Sequence, residues 1–405
     1  MPTDHVRLSE PRHTSQITLP DGRTFEGPAG TSLQEFLNAA YPDCPAPIVA
    51  ALVNGSLREL TAKVRRDCEV VPIDMTTSDG MRIFHRSLTL LLVVAMHEVY
   101  PEARVTVDFS VTLGGFFCAV EGREPLNEAE LQAVEQRMRE IVAADEPIVR
   151  EDMSIQRAIE MFAAQGDDSK VRLLQYSESD HVSVYQLRGV RDYFYGYMMP
   201  STGQMTCFAL QLVPPGFVLR LPRRQHPTRL TAHRDYPKLT KVFHEYGHWL
   251  DILGIGDVGA LNAVVGGDGL RQAILVAEAL HEKNIADIAD DIVRKREHVR
   301  LVFIAGPSSS GKTTFARRLA IQLMVNGLRP YAIGLNDYFV DRDLTPRDPN
   351  GDYDFESLEA VDLDLFSQQL LDLADGKVVR PARYNFQTGK SERGEPVQLP
   401  EDTMF

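Results

Sequence analysis

Three features of this 405-residue sequence point to a multi-domain chain of mixed α+β and α/β type. Gly306-Pro307-Ser308-Ser309-Ser310-Gly311-Lys312-Thr313 is a G-x-x-x-x-G-K-T loop between an apolar run and an amphipathic one, the entry to a doubly wound parallel sheet. A strand–strand–helix–strand pattern fills residues 14–78, as in a β-grasp unit. From Pro237 to Arg296 the hydrophobic period is helical. The expected organisation is therefore 14–78 β-grasp, 79–235 α+β, 236–297 helical linker and 298–405 nucleotide-binding α/β domain.

Composition narrows the class. A hydrophobic content of 43% is ordinary for a globular chain. A net charge of −14 argues against a protein that coats nucleic acid, while leaving room for a local basic patch. Cys44, Cys68, Cys118 and Cys207 form no C-x-x-C pair, which suits a reducing cytosol. The first residues carry no signal-peptide core, and the most apolar run, Leu88 to Met96, is too short to span a bilayer. The expectation is a soluble cytoplasmic protein without membrane contact, its oligomeric state open.

Residues 1–13 read as a loose tail. Ile17-Thr18-Leu19 and Thr24-Phe25-Glu26 flank a Pro20-Asp21-Gly22 turn. Ser32 and Glu35 form a capping box that opens a helix through Ala40. Val49 to Val53 is a strand ending in the hairpin turn Asn54-Gly55, and Glu69 to Ile73 closes the unit. Ile17 to Gly22 and Val53-Asn54-Gly55 with Leu60 resemble the TGS domain of threonyl-tRNA synthetases and related GTPases.

The next block begins with an apolar helix from Phe84-His85-Arg86-Ser87 to Tyr100-Pro101. A strand from Val105 to Leu113, helices Glu128 to Ala144 and Ile155 to Ala164, and strands Val182 to Leu187 and Cys207 to Val213 follow. This block is similar to the editing-type domain of threonyl-tRNA synthetase, which carries H-S-x-x-H and C-x-x-x-H ligands. Here Arg86, Leu90, Phe194 and Met198 stand in those places. Leu and Phe cannot coordinate a metal, so the resemblance implies the fold without the editing chemistry.

Arg220, Arg223, Arg224, His226, Arg229, His233 and Arg234 make a basic stretch that reads as a solvated connection or as an RNA phosphate contact. His244-Glu245-Tyr246-Gly247-His248 fits the zinc-protease H-E-x-x-H, but only Glu278 offers itself as a third ligand. The expectation is a linker helix. Gly254-Ile255-Gly256-Asp257-Val258-Gly259 fits G-x-G-x-x-G, yet a helical run precedes it, so a helix stop and restart is expected. Leu270 to Ala289 reads as one or two amphipathic helices.

In the last block Leu301 to Ala305 is expected as a strand and Thr314 to Val325 as a helix. The glycines allow backbone N–H groups to converge on phosphate oxygens, helped by the helix N-terminus. The nucleotide set is Gly306, Pro307, Ser308, Ser309, Ser310, Gly311, Lys312, Thr313 and Thr314. Lys312 is expected to reach the β- and γ-phosphates of ATP, and the Thr313 hydroxyl to hold Mg²⁺. Tyr331 to Leu335 is expected as a second strand ending in Asn336-Asp337-Tyr338-Phe339, with Asp337 as general base at its carboxyl end.

This segment, with Tyr353-Asp354-Phe355, the helix Leu363 to Leu373, Gly376-Lys377-Val378-Val379 and Tyr384-Asn385-Phe386, resembles the uridine kinase and phosphoribulokinase family. The resemblance implies Asp354 and Tyr384 as contacts to a nucleoside-like acceptor. It also implies an aspartate at the slot held by Asn336, and a histidine where this chain has Thr388-Gly389-Lys390. No acidic strand follows Lys312 before Met404-Phe405, so a C-terminally truncated kinase domain is expected. The whole pattern resembles TGS-containing nucleoside kinases. The expected activity is phosphoryl transfer from ATP to a small-molecule hydroxyl, with RNA contact through the N-terminal domains. The rivals are an ATP-binding, RNA- or ribosome-associated regulator and a zinc protease.

Overall fold

A capping box at Ser32 fixes the start of the first helix. The structure, a computed structural model, describes residues 12–111, 114–232, 236–307, 309–349, 351–400 and 402–405. Strands β1 (Thr14–Thr18), β2 (Thr24–Pro28) and β3 (Thr31–Ser32) lead into α1 (Leu33–Ala40). The Glu35 carboxylate accepts from the Ser32 N–H at 2.9 Å, and the Ser32 hydroxyl accepts from the Glu35 N–H at 3.3 Å, closing the capping box. Then come β4 (Ile48–Val53), β5 (Ser56–Glu59), β6 (Lys63–Val64) and β7 (Cys68–Asp74). Asn54 and Gly55 turn β4 into β5 at φ 48° and 78°, matching the twist of a two-residue hairpin. The sheet order is β2-β1-β7-β4-β5, with β1 and β7 parallel. Leu33, Phe36 and Leu37 of α1 pack on Ile17, Ala51 and Val70.

Helix α2 (Ser78–Val99) is the centre of the next core. Thr77 caps it through the Gly80 N–H at 3.0 Å. Around it stand β8 (Arg104–Ser110), β9 (Gly115–Glu121), α3 (Glu128–Ala143), β10 (Ile148–Ser154), α4 (Ile155–Ala164), α5 (Asp168–Gln175), β11 (His181–Leu187), β12 (Val190–Tyr193), β13 (Ala209–Val213) and β14 (Gly216–Arg220). They form antiparallel sheets β13-β14-β9-β8 and β10-β11-β12. Phe84, Leu88 and Leu91 of α2 share one core with Met138, Phe217, Val49 and Met75. The strand expected from Val105 to Leu113 ends at Ser110; Leu113, like residues 1–11, lies outside the described residues.

α6 (Pro237–Ile252) and α7 (Val258–Gly266) complete a first unit, Met1–Asp268. Gly254, at φ 67°, follows the end of α6, and Asp257 caps α7 through the Ala260 N–H at 2.8 Å. The G-x-G-x-x-G stretch is thus a helix stop and restart. Asp257 also pairs with Arg172 of α5 at 2.6 Å.

The second unit, Gly269–Phe405, opens with α8 (Leu270–Arg294), a single helix. It packs Ile285 and Ala289 on Leu319 and Leu323 of α9 (Lys312–Val325). The stretch expected as a linker is therefore shared between the units. β15 (Arg329–Pro330), α10 (Leu363–Ala374), the hairpin β16 (Ala382–Asn385)–β17 (Lys390–Arg393) and β18 (Thr403–Met404) follow. β15 and β18 are parallel. The Phe405 N–H donates to Arg300 O at 3.0 Å and the Val302 N–H to Phe405 O at 2.7 Å. Segments 300–302, 403–405 and 329–331 thus run side by side, with 403–405 in the middle.

Two expectations need correction here. Leu301 to Ala305 and Tyr331 to Leu335 do not form full strands: backbone pairing ends at Val302 and Tyr331, and 335–338 curls into a 3₁₀ turn. An apolar run becomes a strand only where a neighbour supplies ladder bonds. α9 also starts at Lys312, two residues before the expected Thr314. Among the described residues no helix is long and apolar enough to cross a membrane.

A Cβ at Gly80 would meet the Asp74 carbonyl oxygen at 1.9 Å, whereas one at Gly55 meets nothing within 4 Å. Urea unfolding should show Gly80→Ala costing about 3 kcal/mol through overpacking. Gly55→Ala should cost about 1 kcal/mol through its left-handed backbone alone.

Candidate nucleotide and acceptor site

The loop after residue 305 is shaped by two left-handed residues, Ser309 at φ 60° and Gly311 at φ 83°. A side chain at Gly306 would meet Ser310 Oγ at 2.8 Å, so the loop closes tightly on itself. Gly311 then takes the N-cap position of α9, which has no side-chain cap. Its first-turn N–H groups are the donors that suit an anion. Lys312 folds back, its Nζ donating to Gly306 O and Pro307 O at 2.8 Å each. Gly306, Pro307, Ser309, Ser310, Gly311, Thr313 and Thr314 are exposed around it, while Ser308 lies outside the described residues. An uncapped helix N-terminus, an ammonium and the Thr313 hydroxyl fit a polyphosphate with a hard divalent cation.

The 329–331 segment leads into the 3₁₀ turn Leu335–Tyr338, which carries Asn336 and Asp337. The Asp337 N–H donates to Gly334 O at 3.0 Å. Asn336 is exposed and Asp337 half-buried. Because 300–302 and 329–331 run parallel through 403–405, loop and turn leave the strands at their carboxyl ends, where α/β sites form.

The residues expected to contact an acceptor lie at or beside a cluster of aromatic rings. Phe339 meets Tyr384 edge-on at 5.5 Å and Phe355 at 5.3 Å. These rings share one buried cluster. Asp354, next to Phe355, is anchored by its N–H to Pro346 O at 2.8 Å, and its carboxylate accepts from the Glu356 N–H at 3.1 Å. Tyr384 is 4% exposed, yet among the described residues its hydroxyl has no partner. An unmade hydrogen bond of this kind costs about 1–3 kcal/mol. β16, which carries Tyr384, packs against the 335–338 turn. Tyr384 thus lies on a strand packed against the turn that carries both Asn336 and Asp337, and Asp354 adjoins Phe355 of the same aromatic cluster.

Lys390, in the segment where the family resemblance implied a histidine, is engaged elsewhere. Its ammonium reaches Asp341 and Asp343, each at 3.1 Å. The Ser391 N–H, then Lys390, hold the Asp341 carboxyl below the usual carboxylate range; Asp341, then Asp343, hold Lys390 above the usual lysine range. These contacts pin the β16–β17 hairpin beside the turn. Sequence reasoning missed this, and it missed Gln369, a buried polar residue on the inward stripe of α10 whose spacing with Leu373 was the available signal.

The H-E-x-x-H helix does packing work. His244 lies edge-on to Phe117 at 4.7 Å and Phe109 at 5.7 Å, with its Nε2 buried. His248 is exposed, and Glu245 pairs with Lys241 at 3.5 Å. Among the described residues no cluster of three His, Cys, Asp or Glu is placed to hold a metal. At the positions aligned with editing-domain ligands, Leu90 and Met198 are buried and Arg86 Nε donates to Tyr197 O at 3.1 Å. In the basic stretch, Arg224 donates to Ser78 Oγ at 2.8 Å and Arg220 to Thr231 O, so part of it is tied to the body of the unit; His233 and Arg234 lie outside the described residues.

The left-handed loop, the lysine folded over it and the helix N-terminus behind it define a phosphate-binding-loop protein. Residues 301–405 match the Phosphoribulokinase / Uridine kinase family. The N-terminal region is similar to threonine–tRNA ligases. Identity is 32% over 195 residues with that of Symbiobacterium thermophilum, covering 48% of this chain and 30% of that protein. It is 32% over 196 residues with threonine–tRNA ligase 1 of Bacillus subtilis, covering 48% and 30%. It is 28% over 233 residues with that of Porphyromonas gingivalis, covering 57% and 35%. The chain spans about a third of the length of these relatives.

Removing an edge-on aromatic contact costs about 0.5–1.5 kcal/mol, so His244→Ala should lower unfolding stability by about 1 kcal/mol. His248→Ala, on an exposed site, should stay within about 0.5 kcal/mol of the parent. Metal analysis should find the same zinc content in both variants and the parent.

Proposed function

We propose that the chain binds ATP in the 306–314 loop and transfers its γ-phosphoryl group to a hydroxyl of a nucleoside-like small molecule. The observation that carries this reading is Lys312, whose ammonium rests on the Gly306 and Pro307 carbonyls at 2.8 Å. It stands at the head of an uncapped helix, in a segment matching a kinase family. An ammonium held there is exchanged from carbonyls to phosphate oxygens without rebuilding the loop.

In this reading Lys312 and the loop N–H groups stabilise charge on the transferring phosphoryl group. Thr313 would hold Mg²⁺, which would supply further neutralisation of phosphate charge. Asp337 takes the proton of the acceptor hydroxyl as its oxygen bonds to the γ-phosphorus; the bond from that phosphorus to the β,γ-bridging oxygen breaks, and ADP leaves. Asn336 cannot serve as the base at neutral pH. Tyr384, whose hydroxyl has no partner among the described residues, and Asp354 orient the acceptor. Residues 14–78 are read as a TGS-type domain and 79–235 as an editing-like domain without metal ligands, together contacting RNA in the cytoplasm.

A second reading is an ATP-binding, RNA- or ribosome-associated regulator that transfers little phosphate. Two observations favour it: the asparagine at position 336, and the similarity of about half the chain to threonine–tRNA ligases.

A nucleoside screen with labelled ATP tests the first reading. Lys312→Ala should weaken ATP binding about 10- to 100-fold, the value of lost charged hydrogen bonds. Asp337→Asn should leave ATP binding intact and lower transfer about 100-fold or more. ATP binding without transfer to any nucleoside would move the assignment to the regulator.

A further inference from the structure

α10 turns Phe366, Gln369 and Leu373 inward, and at 8% exposure Gln369 is as buried as a core leucine. A carboxamide there costs about 1–3 kcal/mol unless it is hydrogen-bonded. It is. Gln369 Oε1 accepts from the Tyr338 hydroxyl at 3.0 Å and from the Ala382 N–H at 3.0 Å, while Nε2 donates to Arg380 O at 2.8 Å. A leucine would fill the volume but leave that N–H and that carbonyl unpaired. The glutamine is therefore a polar junction of three chain segments.

What those segments carry gives the junction its meaning. Tyr338, 1% exposed, ends the turn that presents Asn336 and Asp337, and its ring lies edge-on to Phe366 at 5.2 Å. Ala382 opens the strand that presents Tyr384. Backbone bonds also hold the turn, from the Asp362 N–H to Tyr338 O at 2.8 Å and from the Val340 N–H to Ala360 O at 3.0 Å. Neither reaches β16. The carboxamide oxygen shared by Tyr338 and Ala382 links the Asp337 turn to the first residue of the Tyr384 strand, beside the Phe339–Tyr384 ring contact and the Asp341–Ser391 bond further along.

We propose that Gln369 is a positioning residue of the acceptor site, setting the Asp337 turn against the Tyr384 strand. This rests on the acceptor reading given above. A buried, fully bonded carboxamide holds its partners more narrowly than apolar packing does, because each bond is directional.

The test uses the full chain with two variants. Gln369→Met keeps length and volume and removes all three bonds; Tyr338→Phe keeps the ring and removes one. Amide hydrogen exchange is followed in 335–339, in 380–386 and, as reference, in 312–325. In Gln369→Met, exchange should quicken about tenfold in the first two segments and not in the reference, the scale of one or two lost hydrogen bonds. Tyr338→Phe should quicken mainly 335–339. In the transfer assay both variants should lower kcat and raise the acceptor KM with the ATP KM unchanged. Unchanged exchange in both segments of folded Gln369→Met, or equal quickening in 312–325, overturns the proposal. Should Gln369→Met fail to fold, unchanged 335–339 exchange in Tyr338→Phe overturns it. If the variants show the expected exchange contrast but the parent phosphorylates no nucleoside, the acceptor reading is overturned, and with it any positioning role. That result is distinct from a failed junction, which the exchange data alone detect.

Discussion

A few backbone hydrogen bonds along 403–405 govern the geometry of the second unit. Phe405 exchanges bonds with Arg300 and Val302, and the Tyr331 N–H donates to Met404 O at 2.8 Å. One segment of three residues therefore sets the register of two others separated by nearly thirty positions. Parallel ladders offer no tight turn that could set this register locally. The phosphate loop and the Asp337 turn share one end of the sheet because this middle segment aligns the strands that feed them. Leu319, Leu323 and Met404 pack with Ile285 and Ala289 of α8, so the apolar core sits beneath the same pairing.

What was legible in the sequence was local. The Ser32–Glu35 box, the Asn54-Gly55 hairpin and the Asp257 cap each depend on residues within four positions of one another, so their side chains announce the backbone they stabilise. The glycine-lined loop was legible for the same reason. What was not legible depends on distant partners. Leu301 to Ala305 has strand composition, but its pairing is decided by Phe405, and it stops at Val302. His244 sits in a motif that spells metal chemistry, yet Phe109 and Phe117, more than a hundred positions away, make it a packing residue. Lys390 carries no sign in its neighbours that Asp341 and Asp343 will take it.

In the first unit, packing and hydrogen bonds hold the 197–199 segment against α2. Where Arg86, Leu90, Phe194 and Met198 stand, the structure spends its side chains on packing and on one guanidinium bond to Tyr197 O. The nearby Ser87 hydroxyl accepts from the Met199 N–H at 2.8 Å and donates to Ile83 O at 2.8 Å, so the polar groups of α2 are used to hold the 197–199 segment. Burial lowers the His85 imidazole below its ordinary pKa, which favours the neutral ring beside Pro222.

The asparagine at 336 and the aspartate at 337 pose the sharpest chemical question, and the turn that holds them supplies an argument. In a 3₁₀ turn successive side chains point about 120° apart, so adjacent residues cannot exchange places without rotating the turn. Asn336 is exposed, Asp337 half-buried and Tyr338 buried. Tyr338 cannot rotate freely: its hydroxyl is bound to Gln369 and its ring to Phe366. The turn is therefore held against α10 through Tyr338, and Phe339, the next residue, packs with Tyr384. Of the two neighbouring side chains, the one able to take a proton is the less exposed.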